Sequence, residues 1–442
     1  MVTAAPVAIP NAHTSDFPAF IFLRVTVCYL YVFRTIIVYH FSLMLIKKNS
    51  PHTLFTITLP SSKSISNRAL VLEALSGVKS QLKDLSSARD TQTMIRLLAT
   101  DPDVYDVLDA GTTMRFLTAY LAVSEKERTI TGTARMQERP IAILVEALSA
   151  LGADITYEKK EGYPPLNIGA FTDAGLTTIS MRGDISSQYI SAIMMVSPLL
   201  KSGLSIQLEG KVGSRPYIDM TASLMRLFGA HLTIEGNTIH VKPGGYKAID
   251  YTIEKDWSAA SYWYSVVALS EGCTVLLSDL TDESIQGDRV MADIMFELGV
   301  KTEFTAEGAL LSRRDHAESC SIDFTHCPDL AQTVAVVCAA KGIKGQFTGL
   351  ESLKIKETDR IQALQNELNK INAAFSLQDG NYVLEPGDTL PPRATIDTYD
   401  DHRMAMAFAP LGVLMDVDII NPEVVNKSYP SFWDDFKIAG LI

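Results

Sequence analysis

Cysteine is scarce in this chain. Five occur in 442 residues, at Cys28, Cys273, Cys320, Cys327 and Cys338, an odd count with no CxxC pair. That excludes a disulfide framework and a zinc ribbon, and it suits a reducing compartment. Cys320 and Cys327 flank His326, a grouping that reads as incidental to a strand end, so no metal or organic cofactor is expected. Charge is sparse as well, at 20% of residues, and its balance is acidic, with a formal net charge of −12. A general nucleic-acid binder needs the opposite sign. Long uninterrupted apolar runs are missing too. The most apolar stretches, Val25 to Phe33 and Thr35 to Ile46, are bounded or broken by Arg24, Arg34 and His40. Neither reaches the roughly 18 apolar residues of a spanning helix. No Lys or Arg precedes Arg24, so the charged start of a signal peptide is absent. Residues 1–43 therefore read as an atypical apolar extension outside the working fold, with synthesis beginning at Met44. A membrane anchor is the alternative.

What the chain does have is apolar residues, at 47%, in a length that calls for two domains of about 200 residues each. It also has a period. Gly203, Gly272, Gly342 and Gly412 stand 69, 70 and 70 residues apart, each placed to close an apolar helix. A second helix and a hairpin recur after Leu151-Gly152-Ala153, Phe228-Gly229-Ala230 and Leu298-Gly299-Val300. Turn sequences mark the hairpins at Glu235-Gly236-Asn237, Ala306-Glu307-Gly308 and Asp379-Gly380-Asn381. Gly77 and the region near Ser124 fit as earlier, less regular units. The first helix of each unit is apolar all round and so buried, whereas the second carries a polar face. The fold expected is α/β: two inside-out α/β domains, each of three repeated β-α-β-α-β-β units, helices within and sheets outside. Residues 54–60 plus 255–442 would form one domain and 61–254 the other, with a substrate cleft between them.

Polar clusters stand at the helix starts. Leu59-Pro60-Ser61-Ser62-Lys63-Ser64-Ile65-Ser66-Asn67-Arg68 leads into an apolar helix, with serines to cap it and two cations beside its free N–H groups. Asp109-Ala110-Gly111-Thr112-Thr113-Met114-Arg115 precedes a helix expected over Phe116 to Val123. Glu138-Arg139-Pro140 opens another, with Pro140 expected at its first position. Gly183-Asp184-Ile185-Ser186-Ser187-Gln188-Tyr189 and Ser214-Arg215-Pro216-Tyr217 continue the theme. Each of these alone reads equally well as an ordinary helix cap. Pro328-Asp329 places a carboxylate before a buried helix, where an unpaired charge is costly. Lys354 to Arg360, Asp400-Asp401-His402-Arg403 and Asn426-Lys427-Ser428 complete the set. Lys63, Arg68, Arg115, Arg139, Lys356, Arg360, Arg403 and Lys427 thus all sit at or beside helix starts. If the units share an orientation, these residues face one cleft suited to a substrate with phosphate and carboxylate groups.

From about residue 54 onward these motifs resemble the enolpyruvyl transferase family, in its shikimate branch. LPSSKSISNRALVLEAL, DAGTTMRFLTA, MQERPI, DISSQYISA, SRPYIDMT, PDLAQT, KETDRIQAL, DDHRMAMAFA and NKSYP occur in one order. The resemblance implies transfer of the enolpyruvyl group of phosphoenolpyruvate to the 5-hydroxyl of shikimate 3-phosphate, with release of phosphate, by a cytoplasmic monomer. It implies that Lys63, Ser64, Arg68, Ser186, Ser187, Gln188, Ser214, Tyr217, Asp329, Ser352 and Lys356 hold shikimate 3-phosphate. Lys63, Gly111, Arg115, Arg139, Gln188, Arg360, Arg403 and Lys427 would hold phosphoenolpyruvate. Asp329 and Glu357 would move protons, assisted by Lys63. Four residues depart from the pattern: Asp109 and Ser352 replace expected asparagines, Ser61 an expected glycine, and Phe116 a frequent proline. Asp109 would weaken anion binding unless a cation pairs with it. The sister enzyme acting on a UDP-amino sugar is the nearest rival, but no cysteine follows a glycine-rich loop here. A non-catalytic ligand-binding relative is the other.

Overall fold

The computed structural model describes residues 25–28, 38–124 and 126–442. Most of the 1–43 segment lies outside them. Within it, Val25–Cys28 pairs antiparallel with Val38–Phe41 and with no other described strand.

Two hydrophobic cores organise the rest. One gathers residues from Ile65 to Ile253, the other Ile46 to Leu59 together with Trp257 to Leu441. Around the first lie three sheets. Thr178–Arg182, Leu204–Glu209, Thr238–Val241 and Leu232–Glu235 form one in that order. Val104–Asp106, Arg128–Thr131, Leu166–Phe171 and Ala153–Tyr157 form the second. The third is only the parallel pair Gln81–Lys83 and Asp250–Thr252, which is why the earliest unit looked irregular. Around the other core, Leu54–Ile57 joins a sheet with Thr274–Ser278, Gly308–Arg313 and Val300–Thr305. Ser319–Asp323, Lys344–Thr348, Asn381–Glu385 and Ala374–Gln378 make a second. Arg393–Ile396, Asp416–Ile420 and Leu43–Ile46 make the third, with Met44 opposite Ile419.

Three of the four four-stranded sheets follow one rule: a helix carries the chain between two parallel strands, and a second helix leads to an antiparallel hairpin. In the fourth, the whole inserted lobe and then Trp257–Leu269 lie between the parallel strands Leu54–Ile57 and Thr274–Ser278. The first helices lie inside. Every residue of Trp257–Leu269 except Ser258 is buried, as are the whole of His402–Phe408 and most of Ala331–Lys341. Each large apolar side chain so buried stabilises the fold by roughly 1.5–3 kcal/mol. The repeated glycines do not all serve one purpose. Gly342 ends its helix in the left-handed region, at φ +74°, as expected. Gly412 does not cap its helix; it lies within the 3-10 turn Ala409–Val413 that directly continues His402–Phe408. A Cβ there would stand 2.4 Å from Ile46 Cγ2, so the strand Leu43–Ile46 is what requires glycine at that point.

The chain passes between the lobes twice, at neighbouring points. Asp256 N–H donates to Pro60 O at 2.9 Å and Ser62 N–H to Glu254 O at 2.8 Å, around an isolated bridge between Ser61 and Lys255.

Candidate active site

Between the lobes lies a cavity of about 570 Å³. Of the residues expected to bind or react, all but Lys427 line it. Their placement follows from how the helices begin. Ser62 caps Lys63–Ser76 by accepting from Ile65 N–H, which leaves Lys63, Ser64 and Arg68 on the first turns at the cleft. Ser186 caps Ser187–Val196 by accepting from Gln188 N–H. Ser214 reaches the left-handed φ of +53° just before Arg215–Leu227, and Tyr217 leaves that helix toward the other lobe. Two expected boundaries differ. The Gly-Thr-Thr segment is already helical, in Gly111–Ala122. Pro140 precedes its helix, which runs over Ala142–Ala150 with Ile141 as cap. The Ile141 carbonyl accepts the first helical bonds, and Pro140 O instead accepts from Tyr189 Oη at 2.6 Å.

Arg115 and Arg139 stand side by side. Arg115 Nη1 donates to Gly111 O at 2.8 Å, and its guanidinium lies 5.3 Å from the Tyr189 ring centre. The Nε of each arginine is buried without a hydrogen-bond partner. Burial, and then the charge of Arg115, hold Arg139 below its ordinary pKa. Two adjacent cations with no carboxylate in direct ion-pair contact suit an anion receptor, although Glu357 and Asp90 lie close enough to act on Arg139. Nearby, Arg68 is buried against neutral groups: Nε donates to Thr221 Oγ1 at 2.7 Å, Nη1 to Ser64 O at 3.0 Å and Nη2 to Ser191 Oγ at 3.3 Å. Burial lowers its pKa to about 10. The Phe116 ring, one of the departures, packs 5.1 Å from that guanidinium and supplies a cation–π contact.

The other lobe contributes an ion-pair network. Asp329 sits in the 3-10 turn Pro328–Leu330 ahead of Ala331–Lys341. It takes Arg360 Nη1 at 3.0 Å, Arg403 Nη2 at 2.9 Å and Tyr217 Oη at 2.9 Å, with Lys356 Nζ 3.9 Å away. Burial pushes its carboxyl up, but Arg403, Lys356 and Arg360 outweigh this and hold it well below the usual carboxylate range. Glu357 behaves likewise: burial is overridden by Arg360, Lys427 and Arg139. Both carboxylates are thus anions, and neither stores a proton in advance. Arg360 is committed to protein partners, because besides Asp329 and Glu357 it grips Asp401, Nε to Oδ2 at 2.6 Å. Burial, then the charges of Lys63 and Arg403, keep His402 neutral.

Lys427 closes the 3-10 helix Pro422–Lys427 at the seam rather than in the cavity lining. Its Nζ meets Asp109 O and Asp109 Oδ2, each at 3.2 Å. Arg89 Nη2 also holds Asp109, at 2.9 and 2.7 Å. The Asp109 carboxylate is therefore neutralised by two cations, and it ties the lobes together. Of the other departures, Ser61 makes the bridge to Lys255 and Ser352 lines the cleft.

Sequence reasoning missed the carboxylates that hold these cations: Asp90 on Lys63 at 3.2 Å, Asp401 on Arg360, and Asp256 beneath the Lys63 N–H at 3.2 Å. Asp401 belongs to the Asp400-Asp401-His402-Arg403 segment; nothing local marks Asp90. It also missed Thr112, which accepts from Gln188 Nε2 at 3.1 Å, and Lys211, which donates to Thr325 Oγ1 at 3.3 Å across the seam. Among the described residues no group of three His, Cys, Asp or Glu side chains is placed to hold a metal. No helix among them is long and apolar enough to cross a membrane.

A two-lobed α/β scaffold with a cation-lined cleft defines an enzyme acting on small anionic molecules. Residues 97–436 match the EPSP synthase (3-phosphoshikimate 1-carboxyvinyltransferase) family, and the chain belongs to that family. A 3-phosphoshikimate 1-carboxyvinyltransferase from Bacteroides fragilis is 47% identical over 391 residues, 87% of this chain and 95% of its own. One from Neisseria meningitidis serogroup B is 37% identical over 413 residues, 86% of this chain and 95% of its own. An EPSP synthase structure from Acinetobacter baumannii covers 90% of this chain and 98% of its own with a TM-score of 0.74. Its identity is 20%, so that likeness is one of fold.

Proposed function

We propose that this chain transfers the enolpyruvyl group of phosphoenolpyruvate to the 5-hydroxyl of shikimate 3-phosphate, a step of chorismate synthesis. The observation that carries the reading is the Arg115–Arg139 pair, whose buried Nε groups lack partners and which opens on the same cavity as Asp329 and Glu357. Phosphoenolpyruvate would lie on Lys63, Gly111, Arg115, Arg139, Gln188 and Arg403, with Arg360 and Lys427 acting at longer range through their carboxylate partners. Shikimate 3-phosphate would lie on Lys63, Ser64, Arg68, Ser186, Ser187, Gln188, Ser214, Tyr217, Asp329, Ser352 and Lys356. Residues 54–60 with 255–442 and residues 61–254 would be the two closing domains, in a monomer working in the cytoplasm.

The chemistry needs one group to accept a proton and one to give it. The 5-oxygen bonds to the central carbon of phosphoenolpyruvate while its proton passes to an anionic carboxylate, Asp329 or Glu357. The methylene carbon gains a proton to complete a tetrahedral intermediate. Since both carboxylates begin ionised, the initial donor is an ammonium, Lys63 or Lys356; burial lowers the pKa of Lys356, which eases release of its proton. Collapse removes a methyl proton, reforms the double bond and breaks the carbon–oxygen bond to phosphate. The test is phosphate release by the full chain with no metal added. Release that requires both substrates is expected. No release from folded protein overturns the reading.

A further inference from the structure

Behind Arg403 lies a carboxylate that the reaction above does not use. Asp288 is buried at 4% exposure, in the 3-10 turn Gly287–Val290. It accepts a short hydrogen bond from Ser258 Oγ. Ser258 is the one residue of Trp257–Leu269 that is not buried, and its Oγ in turn accepts from Arg403 Nη2 at 3.4 Å. The same Nη2 donates to Asp329 Oδ2 at 2.9 Å, and Nη1 donates to the Asp329 carbonyl at 3.2 Å. We propose that Asp288 is a positioning residue for the transfer reaction. Through the Ser258 hydroxyl it fixes the Arg403 guanidinium in the plane that meets both Asp329 and the anion of phosphoenolpyruvate.

Three observations support this beyond the contacts themselves. First, the turn carrying Asp288 is anchored on both sides. Gln286 accepts from Trp257 N–H at 3.1 Å and donates to Lys255 O at 2.7 Å, while Gly287 abuts Pro216 of the opposite lobe. Asp288 therefore sits where the lobes meet and where its helix partner begins. Second, every other hydrogen bond of the Arg403 guanidinium goes to Asp329, so without Ser258 that side chain is held by one residue only. Third, the charge suits the task. Burial, and then Asp329, push the Asp288 carboxyl up to about 7, against the opposing pull of Arg403 and of the Ser258 hydrogen bond. Asp256, Tyr217 and Cys327 also face it. With Asp329 held low and Asp288 raised, the two carboxyls carry less than two full negative charges at neutral pH, and Arg403 keeps attraction to spare for a substrate anion.

The inference rests on the enolpyruvyl-transfer reading, so wild-type turnover is measured beside the variants. Asp288→Ala and Ser258→Ala are each expected to raise the KM for phosphoenolpyruvate at least tenfold. The KM for shikimate 3-phosphate should stay within about twofold. Asp288→Asn, which retains an oxygen acceptor for Ser258, should recover most of the loss. Equal loss toward both substrates, or no rescue by asparagine, overturns the positioning role. If Asp288→Ala does not fold, Ser258→Ala and Asp288→Asn decide the matter. If the wild type itself does not turn over, the function reading fails. Calorimetric binding of phosphoenolpyruvate then still reads the relay, and equal affinity in wild type and Ser258→Ala sinks it.

Discussion

Gly111 shows how closely single atoms are set in the receptor. A Cβ at this position would lie 2.6 Å from Arg139 Nη1 and 2.7 Å from Arg115 Nη1. The clash can be relieved only by moving the two guanidiniums that await an anion. Gly111→Ala is therefore expected to leave the fold intact and to raise the KM for phosphoenolpyruvate by about tenfold or more, because small displacements of binding groups are costly. Steady-state kinetics with each substrate varied in turn would check this; an unchanged KM would remove Gly111 from the site. The cations of this site were legible as residues because each follows a helix-start sequence. Their partners were not. Lys63 meets Asp90 across 27 positions, Arg360 meets Asp401 across 41, and Tyr217 meets Asp329 across 112. Local spacing carries no trace of such pairings. Nor could it reveal that Arg360 is consumed by carboxylates while Arg115 and Arg139 are not.

Elements were more legible than atoms. The 70-residue period located the buried helices and hairpins, since each unit repeats one pattern of burial. It failed at Gly412, where a tight contact with Ile46 and not a helix end demands glycine. The Glu138-Arg139-Pro140 motif misplaced its helix start as well, because Ile141 is the cap and the helix begins two residues later, at Ala142. Between elements, Asp256 does double duty. Its Oδ1 caps Trp257–Leu269 by accepting from Ala259 N–H at 3.0 Å, and its Oδ2 accepts from Lys63 N–H at 3.2 Å at the start of the helix in the other lobe. Asp256→Ala strips two helix starts at once. It should lower unfolding free energy by about 1–3 kcal/mol, in the range of a lost buried cap. Denaturant midpoints would show it, and a change below about 0.5 kcal/mol would mean that neither bond matters.

At the scale of the molecule, Gly287 of one lobe lies close against Pro216 of the other. A Cβ on Gly287 would stand 2.4 Å from Pro216 Cβ, and a proline ring cannot swing aside. Gly287→Ala should therefore hold the lobes apart while both cores persist. Turnover is expected to fall by more than about tenfold, since closure assembles groups from both sides. Small-angle scattering should show a larger radius of gyration than the wild type. Wild-type turnover in this variant would show that such close approach is not required.

The order in which the ribosome makes this chain meets the double crossing in an uneven way. Everything the first core requires, from Ile65 to Ile253, emerges in one continuous stretch. The other core is split in time. Leu54–Ile57 has no neighbour until Thr274–Ser278 is made, and Leu43–Ile46 has none until Asp416–Ile420 is made. At about 5–20 residues per second, the first of these strands waits on the order of ten to forty seconds with an apolar face and open edge. The chain thus completes the inserted lobe first, while two early strands of the enclosing lobe remain unpaired. Their shortness, four residues each, limits what else can add to them during that wait.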